Sequence, residues 1–192
     1  MNPDVWLLHL LNDLVGTIPF IDWIMRLLVN DFAVPTAMSL VAVAVWFSGA
    51  TPEEQRRNRR AVIFVALAIA FSNALIKELA SFYFRPRPFA TESVKLLFYR
   101  PSVSSFPSIP IDVAFCFATS LWYANKRLGN GLIVLGTLYA FSRVYAGVHY
   151  PSDVIAGALL GAGMVYTINR LGFIFEPLAD RMVAIAQRLA FT

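Results

Sequence analysis

The sequence has little charge and one cysteine. Asp, Glu, Lys and Arg make up 15% of its 192 residues, whereas hydrophobic residues make up 58%. Such an apolar chain is atypical of soluble domains of this size and indicates a membrane protein with one domain over residues 1–192. Cys116 cannot form an internal disulfide, so cysteine usage does not indicate whether the protein works in an oxidising or a reducing compartment. The N-terminus lacks a basic region, and we therefore predict no cleavable signal peptide.

The basic residues predict a membrane partner. The net charge is +4, and the main basic run, residues 51–60, lies between two apolar segments. We therefore expect contact with the bilayer and no nucleic-acid partner. Nothing in the sequence indicates an oligomeric state.

Long apolar segments separated by short polar breaks predict the fold class. We expect an all-α, polytopic membrane bundle of about five to six transmembrane helices with amphipathic helices at both termini. The expected spans are residues 32–49, 61–84, 109–124, 128–148 and 151–168, with a kink at Pro35 and a surface helix at 173–190.

The distribution of Lys and Arg predicts the orientation. Basic residues follow the first, third and fifth spans: Arg56, Arg57, Arg59, Arg60, Lys126, Arg127 and Arg170. The positive-inside rule places these in the cytoplasm. The other loops then lie outside, and they hold most of the unusual polar residues: Arg85, Arg87, Ser108, Arg143, His149 and Asp153.

The segment 142–153 carries a candidate catalytic group. Arg143 at the end of an apolar span is costly unless it has a partner, and this marks it as a functional candidate. Asp153 follows His149 by four residues and can accept the proton of one imidazole nitrogen, leaving the other as a nucleophile. The alternative is a snorkelling arginine and a helix-capping aspartate.

Two further stretches could bind an anion. Arg85 and Arg87 lie in an Arg-Pro-Arg-Pro sequence directly after a predicted span, where interfacial anchoring is the alternative role. Ser108 is a suitable N-cap for the next helix, whose free N–H groups favour an anion; the alternative is a plain capped helix.

Together these stretches resemble the type 2 phosphatidic acid phosphatase superfamily of membrane lipid phosphatases. Its third motif is matched in full by Ser142, Arg143, His149 and Asp153. The first motif is matched in residue type by Lys77 and Arg87, but not in spacing. The second motif keeps Pro107 and Ser108 and loses its histidine to Pro110. Within the family the chain looks most similar to small bacterial undecaprenyl-diphosphate phosphatases.

The resemblance implies a role for each matched residue. His149 would attack phosphorus and form a phosphohistidine, and Asp153 would orient it. The phosphoryl oxygens would be held by a shared set of donors: Lys77, Arg85, Arg87, Ser108 and Arg143. It implies no metal and no cofactor, a lipid phosphate substrate, and a bacterial cytoplasmic membrane with the active site facing outside.

Pro110 narrows the expected substrate. The family's histidine at this place protonates the leaving group, and proline cannot. A departing phosphate is far less basic than an alkoxide, so we expect an isoprenoid diphosphate such as undecaprenyl diphosphate. Asp112 is the nearest alternative proton donor. Its alternative role is a carboxylate that complements the helix dipole.

Two other functions stay open at this point. The chain could be a catalytically impaired homologue that binds a lipid phosphate or serves as a partner subunit. It could also be a phosphotransferase that passes the phosphoryl group from His149 to an acceptor other than water.

Overall fold

A computed structural model describes residues 2–175 and the single residues 177, 181 and 183. Every regular element among these residues is a helix, so the predicted all-α class is confirmed. The helices are α1 (Pro3–Asn12), α2 (Pro19–Val29), α3 (Ala33–Phe47), α4 (Pro52–Phe82), α5 (Pro88–Thr91), α6 (Ile109–Ala124), α7 (Lys126–Tyr145) and α8 (Pro151–Arg170). Most of the predicted 173–190 helix lies outside the described residues.

Within the described part, α4 and α8 are each long and apolar enough to cross a membrane. The consecutive helices α2 and α3 add a third span if they are counted as one bent segment. The predicted count of five to six is not reached on length and composition. The apolar helix α6 has only 16 residues, and α7 carries Lys126, Arg127 and Arg143 within its length.

A sharp bend between α2 and α3 shapes the N-terminal half. The two helix axes differ by 57°, and the side chain of Asn30 accepts hydrogen bonds from the N–H groups of Phe32 (2.8 Å) and Ala33 (3.1 Å). These bonds satisfy donors at the start of α3, which makes Asn30–Phe32 the break. The kink expected at Pro35 therefore lies a few residues earlier, and the bend leaves Asp31 outside both helices.

Helix α6 is the centre of the bundle and packs against α3, α4, α7 and α8. Close approach to α8 depends on two glycines. A Cβ atom added at Gly157 would lie 2.5 Å from the carbonyl oxygen of Ser108, and one at Gly161 would lie 2.3 Å from that of Asp112. Small residues four apart allow such backbone contact between membrane helices. The pair therefore sets how α8 lies against α6.

The antiparallel order of these helices gathers four chain segments at one end of the bundle. These are the α2–α3 break, the 83–108 connection, the start of α6 and the 146–150 turn between α7 and α8. The hydrogen bond from the Ser108 N–H to the Asp153 carbonyl (3.0 Å) joins the starts of α6 and α8 directly. The candidate residues of the sequence are concentrated at this end.

We predict that Gly161→Ala destabilises the protein by about 1–3 kcal/mol, because its methyl group must displace the α6 backbone. Gly163→Ala is the matched control, since a Cβ atom there meets no atom within 4 Å. It should leave stability unchanged or slightly higher. Thermal unfolding of the detergent-purified proteins measures both, and equal stability of the two variants would contradict the packing argument.

Candidate functional site

His149 is fully buried, and its contacts identify its tautomer. Nδ1 lies 3.0 Å from the carbonyl oxygen of Ser105, which can only accept a hydrogen bond, so Nδ1 carries the proton. Nε2 lies 3.1 Å from Nη1 of Arg87 and 3.4 Å from Nη2 of Arg143. Guanidinium groups only donate, so Nε2 presents a lone pair to them. The nitrogen that faces both arginines is therefore the one with the free lone pair.

The two arginines are held by main-chain carbonyl groups. Arg87 donates from Nε to Val103 (3.0 Å) and from Nη1 to Val148 (3.1 Å). Arg143 donates from Nη1 to Val29 (2.9 Å), where α2 ends. Both side chains are buried, with 6% and 1% exposure. The buried Nε of Arg143 has no acceptor among the described residues, so a hydrogen-bond donor is available to a ligand.

Ser108 completes the surroundings of Nε2. It is the N-cap of α6, its side chain makes no capping hydrogen bond, and its Oγ lies 3.4 Å from Nε2 of His149. The start of α6 also contributes the partial positive charge of a helix N-terminus. Nε2 thus faces two guanidinium groups, a hydroxyl group and a helix start, the kind of surroundings in which a phosphoryl group binds.

Asp153 supports His149 through Ser105. The direct Nδ1–Oδ2 distance is 3.8 Å, too long for a hydrogen bond. Oδ2 instead accepts from the Ser105 hydroxyl (2.5 Å) and from the Tyr150 N–H (2.9 Å). The Ser105 carbonyl then receives the proton of Nδ1. The predicted contact between Asp153 and His149 is therefore replaced by an indirect one.

Arg85 does not reach the imidazole. Nη1 donates to Oδ1 of Asp153 (2.6 Å) and to Ser152 (2.7 Å), and Nη2 donates to Asp4 (2.6 Å). Its guanidinium also lies over the Tyr150 ring, 4.1 Å from the centroid. Two carboxylates engage this cation, so it stabilises Asp153 instead of facing the cavity.

Two other predicted residues also lie apart from the imidazole. Lys77 is exposed on α4 and makes no hydrogen bond or ion pair with a described residue. Asp112 is buried one turn into α6, where Oδ2 accepts from the hydroxyl of Ser72 on α4 (2.6 Å) and Oδ1 has no partner among the described residues. Its side chain thus faces the α4–α6 interface, which does not suit the proposed proton donor.

A cavity of about 350 Å³ lies beside the two arginines. It is lined by polar residues from the loops and apolar residues from α3 and α6: Asp31, Pro35, Arg87, Tyr99, Pro101, Val103, Ser104, Ile109, Pro110, Val113 and Arg143. Pro110, which occupies the place of the motif histidine, is part of this wall. Among the described residues no three His, Cys, Asp or Glu side chains are grouped to hold a metal ion.

Burial and positive charge set the protonation of the site. Burial lowers the pKa of His149 to about 4, and the nearby Arg143 and Arg87 act in the same direction. Burial, together with the charge of Arg143, lowers the pKa of Arg87 to about 10. His149 is therefore neutral and Arg87 charged near pH 7, as a nucleophile and an anion-binding cation require.

Sequence reasoning missed three residues that the structure places in or around the site. Asp31 pairs with Arg143 (2.5 Å), Ser105 connects Asp153 to His149, and Asp4 anchors Arg85. A signal existed for Asp31, because Arg143 in an apolar span requires a carboxylate. The polar break at Asn30 could have located it. Nothing local indicates the roles of Ser105 and Asp4.

Comparison with known proteins places this site in a family. The model of the PAP2 superfamily matches residues 61–175. This stretch contains His149, Asp153, Arg87, Ser108 and Arg143. Asp31 lies before the matched residues.

Relatives and solved structures agree with that match. Undecaprenyl-diphosphatase BcrC of Bacillus subtilis is 27% identical over 162 residues, which cover 84% of this chain and 80% of the relative. The crystal structure of Aquifex aeolicus LpxE superposes with a TM-score of 0.65 at 26% identity, covering 86% of this chain and 94% of that one. A transmembrane PAP2 type phosphatidylglycerolphosphate phosphatase from Bacillus subtilis has the same fold, with a TM-score of 0.64, 21% identity and coverage of 90% and 87%.

The neutral state of His149 predicts that acid destabilises the fold. An unfolded histidine takes up a proton near pH 6.5, whereas native His149 does so near pH 4. The unfolded state therefore binds more protons in this window, and the free energy of unfolding falls as the pH drops, by up to about 1.4 kcal/mol per pH unit. Thermal unfolding at several pH values should show a shallower fall for His149→Gln. Identical slopes for the two proteins would contradict the assignment.

Proposed function

The chain belongs to the PAP2 superfamily, and on this basis we propose that it hydrolyses an isoprenoid diphosphate, with undecaprenyl diphosphate as the type substrate, through a phosphohistidine at His149. At the coarser level it is an integral membrane protein and a lipid phosphatase, homologous to undecaprenyl-diphosphatases. The proposal adds the substrate, the covalent intermediate and the side of the membrane.

One observation carries the proposal. The Nε2 lone pair of His149 faces the cationic side chains of Arg87 and Arg143 at 3.1 and 3.4 Å. A terminal phosphoryl group that enters between them meets its nucleophile and its charge-neutralising donors together. Preorganised donors of this kind stabilise a charged transition state most strongly where water is excluded, as it is around these buried arginines.

The cavity favours an amphiphilic substrate. Its lining combines the cations Arg87 and Arg143 with the apolar side chains of Pro35 of α3 and Ile109 and Val113 of α6. An isoprenoid chain can lie along these apolar side chains while its head group binds the arginines.

The lining also favours a diphosphate over a monophosphate ester. Pro110 occupies the wall where the family's histidine would stand, and it has no proton to donate. A lipid monophosphate leaves as a weak base, since the second pKa of a phosphate monoester is about 6, whereas a lipid alkoxide leaves as a strong one. With proline in place of the histidine, the hydrolysis rate of the diphosphate should therefore fall less than that of the monophosphate ester.

We also propose that the site faces the outer side of the cytoplasmic membrane. The basic residues 56–60 lie near the start of α4, and Lys126 and Arg127 begin α7, both at the end of the bundle opposite His149. The positive-inside rule assigns that basic end to the cytoplasm. Cysteine labelling with a membrane-impermeant reagent at exposed Val103 and exposed Lys126 tests this in whole cells.

A second candidate function follows from the same position. With Pro110 in the wall, the site would bind a lipid phosphate and turn it over very slowly, as an impaired homologue would. Phosphate release by the parent protein decides between the two.

We predict that the detergent-purified parent protein releases phosphate from undecaprenyl diphosphate faster than from phosphatidic acid. His149→Ala should lower the rate of phosphate release by at least about 10³-fold, because the covalent route is removed. Pro110→His should raise phosphatidic acid hydrolysis by up to about 10²–10⁴-fold, more than it raises diphosphate hydrolysis. No release by the parent, with rescue by Pro110→His, would support the impaired homologue instead, and equal rates on both lipids would contradict the leaving-group argument.

We predict that Arg87→Ala and Lys77→Ala, which each remove one cation of the first motif, differ in their effect on kcat. Removing a buried donor at the phosphoryl group should lower kcat by about 10²–10³-fold. Lys77→Ala should change kcat far less, because Lys77 is exposed and contacts no described site residue. A loss for Lys77→Ala as large as that for Arg87→Ala would place Lys77 at the substrate.

A further inference from the structure

The cavity contains few groups that can move a proton. Among the described residues that line it, the ionisable ones are Asp31, Arg87, Tyr99 and Arg143. Arginine does not release its proton in proteins. Since Pro110 carries no such group and Asp112 faces α4, the residue that could accept a proton from the attacking water is sought among Asp31 and Tyr99.

Asp31 and His149 contact different nitrogens of the Arg143 guanidinium. The guanidinium of Arg143 presents Nη2 to Nε2 of His149 (3.4 Å) and Nη1 to Oδ1 of Asp31 (2.5 Å). A phosphoryl group bound at this guanidinium between the two residues would have His149 on one side and Asp31 on the other. In-line displacement places the leaving oxygen opposite the attacking nitrogen, which is the side of Asp31.

Tyr99 supports the carboxyl group. Its hydroxyl donates to Oδ2 of Asp31 at 2.5 Å. This bond, together with the charge of Asp31, raises the pKa of Tyr99, so the tyrosine keeps its proton and acts as a donor. The side chain of Asp31 is 25% exposed, which leaves a route for protons from solvent.

We propose that Asp31, positioned by Arg143 and Tyr99, is the general base of this enzyme, which activates water for the hydrolysis of the phosphohistidine. The inference rests on the proposed function. Asp31 lies before the residues that match the family model.

Asp31 is surrounded by hydrogen-bond donors and cations. The charged and titratable groups that face it are Arg143 and Tyr139 from α7 and Tyr99 and Arg87 from the 83–108 connection. Arg143 and Tyr99 each donate a hydrogen bond to one of its oxygens, as they would to a carboxylate, and a carboxylate can accept a proton from water.

The chemical steps then balance. The Nε2 lone pair of His149 forms a bond to the terminal phosphorus, the bond from phosphorus to the bridging oxygen breaks, and its electron pair leaves with the lipid monophosphate. That leaving group departs as a phosphate anion and needs no proton. Water then attacks the phosphohistidine and gives a proton to the Asp31 carboxylate, and the P–N electron pair returns to Nε2. Asp31 passes this proton to solvent, and the products are inorganic phosphate and lipid monophosphate.

The test measures kcat and its pH dependence for phosphate release from undecaprenyl diphosphate in detergent micelles. Asp31→Asn keeps the shape and an acceptor for Arg143, and should lower kcat by about 10²–10⁴-fold with a smaller effect on KM. Tyr99→Phe should cause a smaller loss. Asp13→Asn, an exposed carboxylate outside the cavity, is the matched control and should match the parent. The pH dependence of the parent kcat should flatten in Asp31→Asn, because the group that takes the proton from water is removed.

Two further measurements separate a base from a merely structural residue. Adding Pro110→His to Asp31→Asn should restore kcat, because it returns a base to the same wall. Single-turnover release of 4-nitrophenolate from 4-nitrophenyl phosphate should be unaffected by Asp31→Asn, because the attack of His149 on phosphorus precedes the step that needs the base. A parent-like kcat for Asp31→Asn on the diphosphate, or an equal loss on both substrates, would overturn the inference while leaving the proposed function intact. An inactive parent protein would instead overturn the proposed function.

Discussion

The hydrogen bond from Nδ1 of His149 to the carbonyl of Ser105 decides the chemistry of this site (3.0 Å). It fixes the proton on Nδ1 and directs the lone pair of Nε2 toward Arg87 and Arg143. Burial keeps the ring neutral, and the two arginines reinforce this by repelling a positive imidazolium. The positive charge of Arg87 and Arg143 therefore favours the neutral imidazole and would also attract an anion.

The support for this bond reaches across the whole chain. Ser105 is fixed by Asp153, Asp153 is held by Arg85, and Arg85 is held by Asp4 near the N-terminus. Arg85 also accepts the Ser105 N–H at its carbonyl (2.9 Å), so the loop is tied at both its main chain and its partner side chain. A network in which each charge is paired is what a low-dielectric environment tolerates, and it holds the imidazole in one orientation.

The N-terminal half contributes more than membrane attachment. The bend after α2 carries Asp31 to Arg143, and the last carbonyl of α2, at Val29, accepts from the same guanidinium. The site is thus closed by residues outside the family match at 61–175. The close α6–α8 contact at Gly157 and Gly161 places Ser108 and Asp153 side by side, which joins bundle packing to phosphate binding.

The sequence by itself determined the helical class, the residue types of the site and the proximity of Arg143, His149 and Asp153, because these three lie at the end of α7, in the turn that follows and at the start of α8. It also placed Arg87 and Ser108 at the same end, since alternating spans bring their loops together. Only the tertiary structure decided the partners. Asp31 and Arg143 are 112 positions apart, and Arg85 and Asp4 are 81 apart. Such pairings depend on how helices pack, which local periodicity does not encode. For this reason Arg85, which its place in the sequence predicts to bind phosphate, contacts carboxylates instead. For the same reason Asp153 is linked to His149 through Ser105.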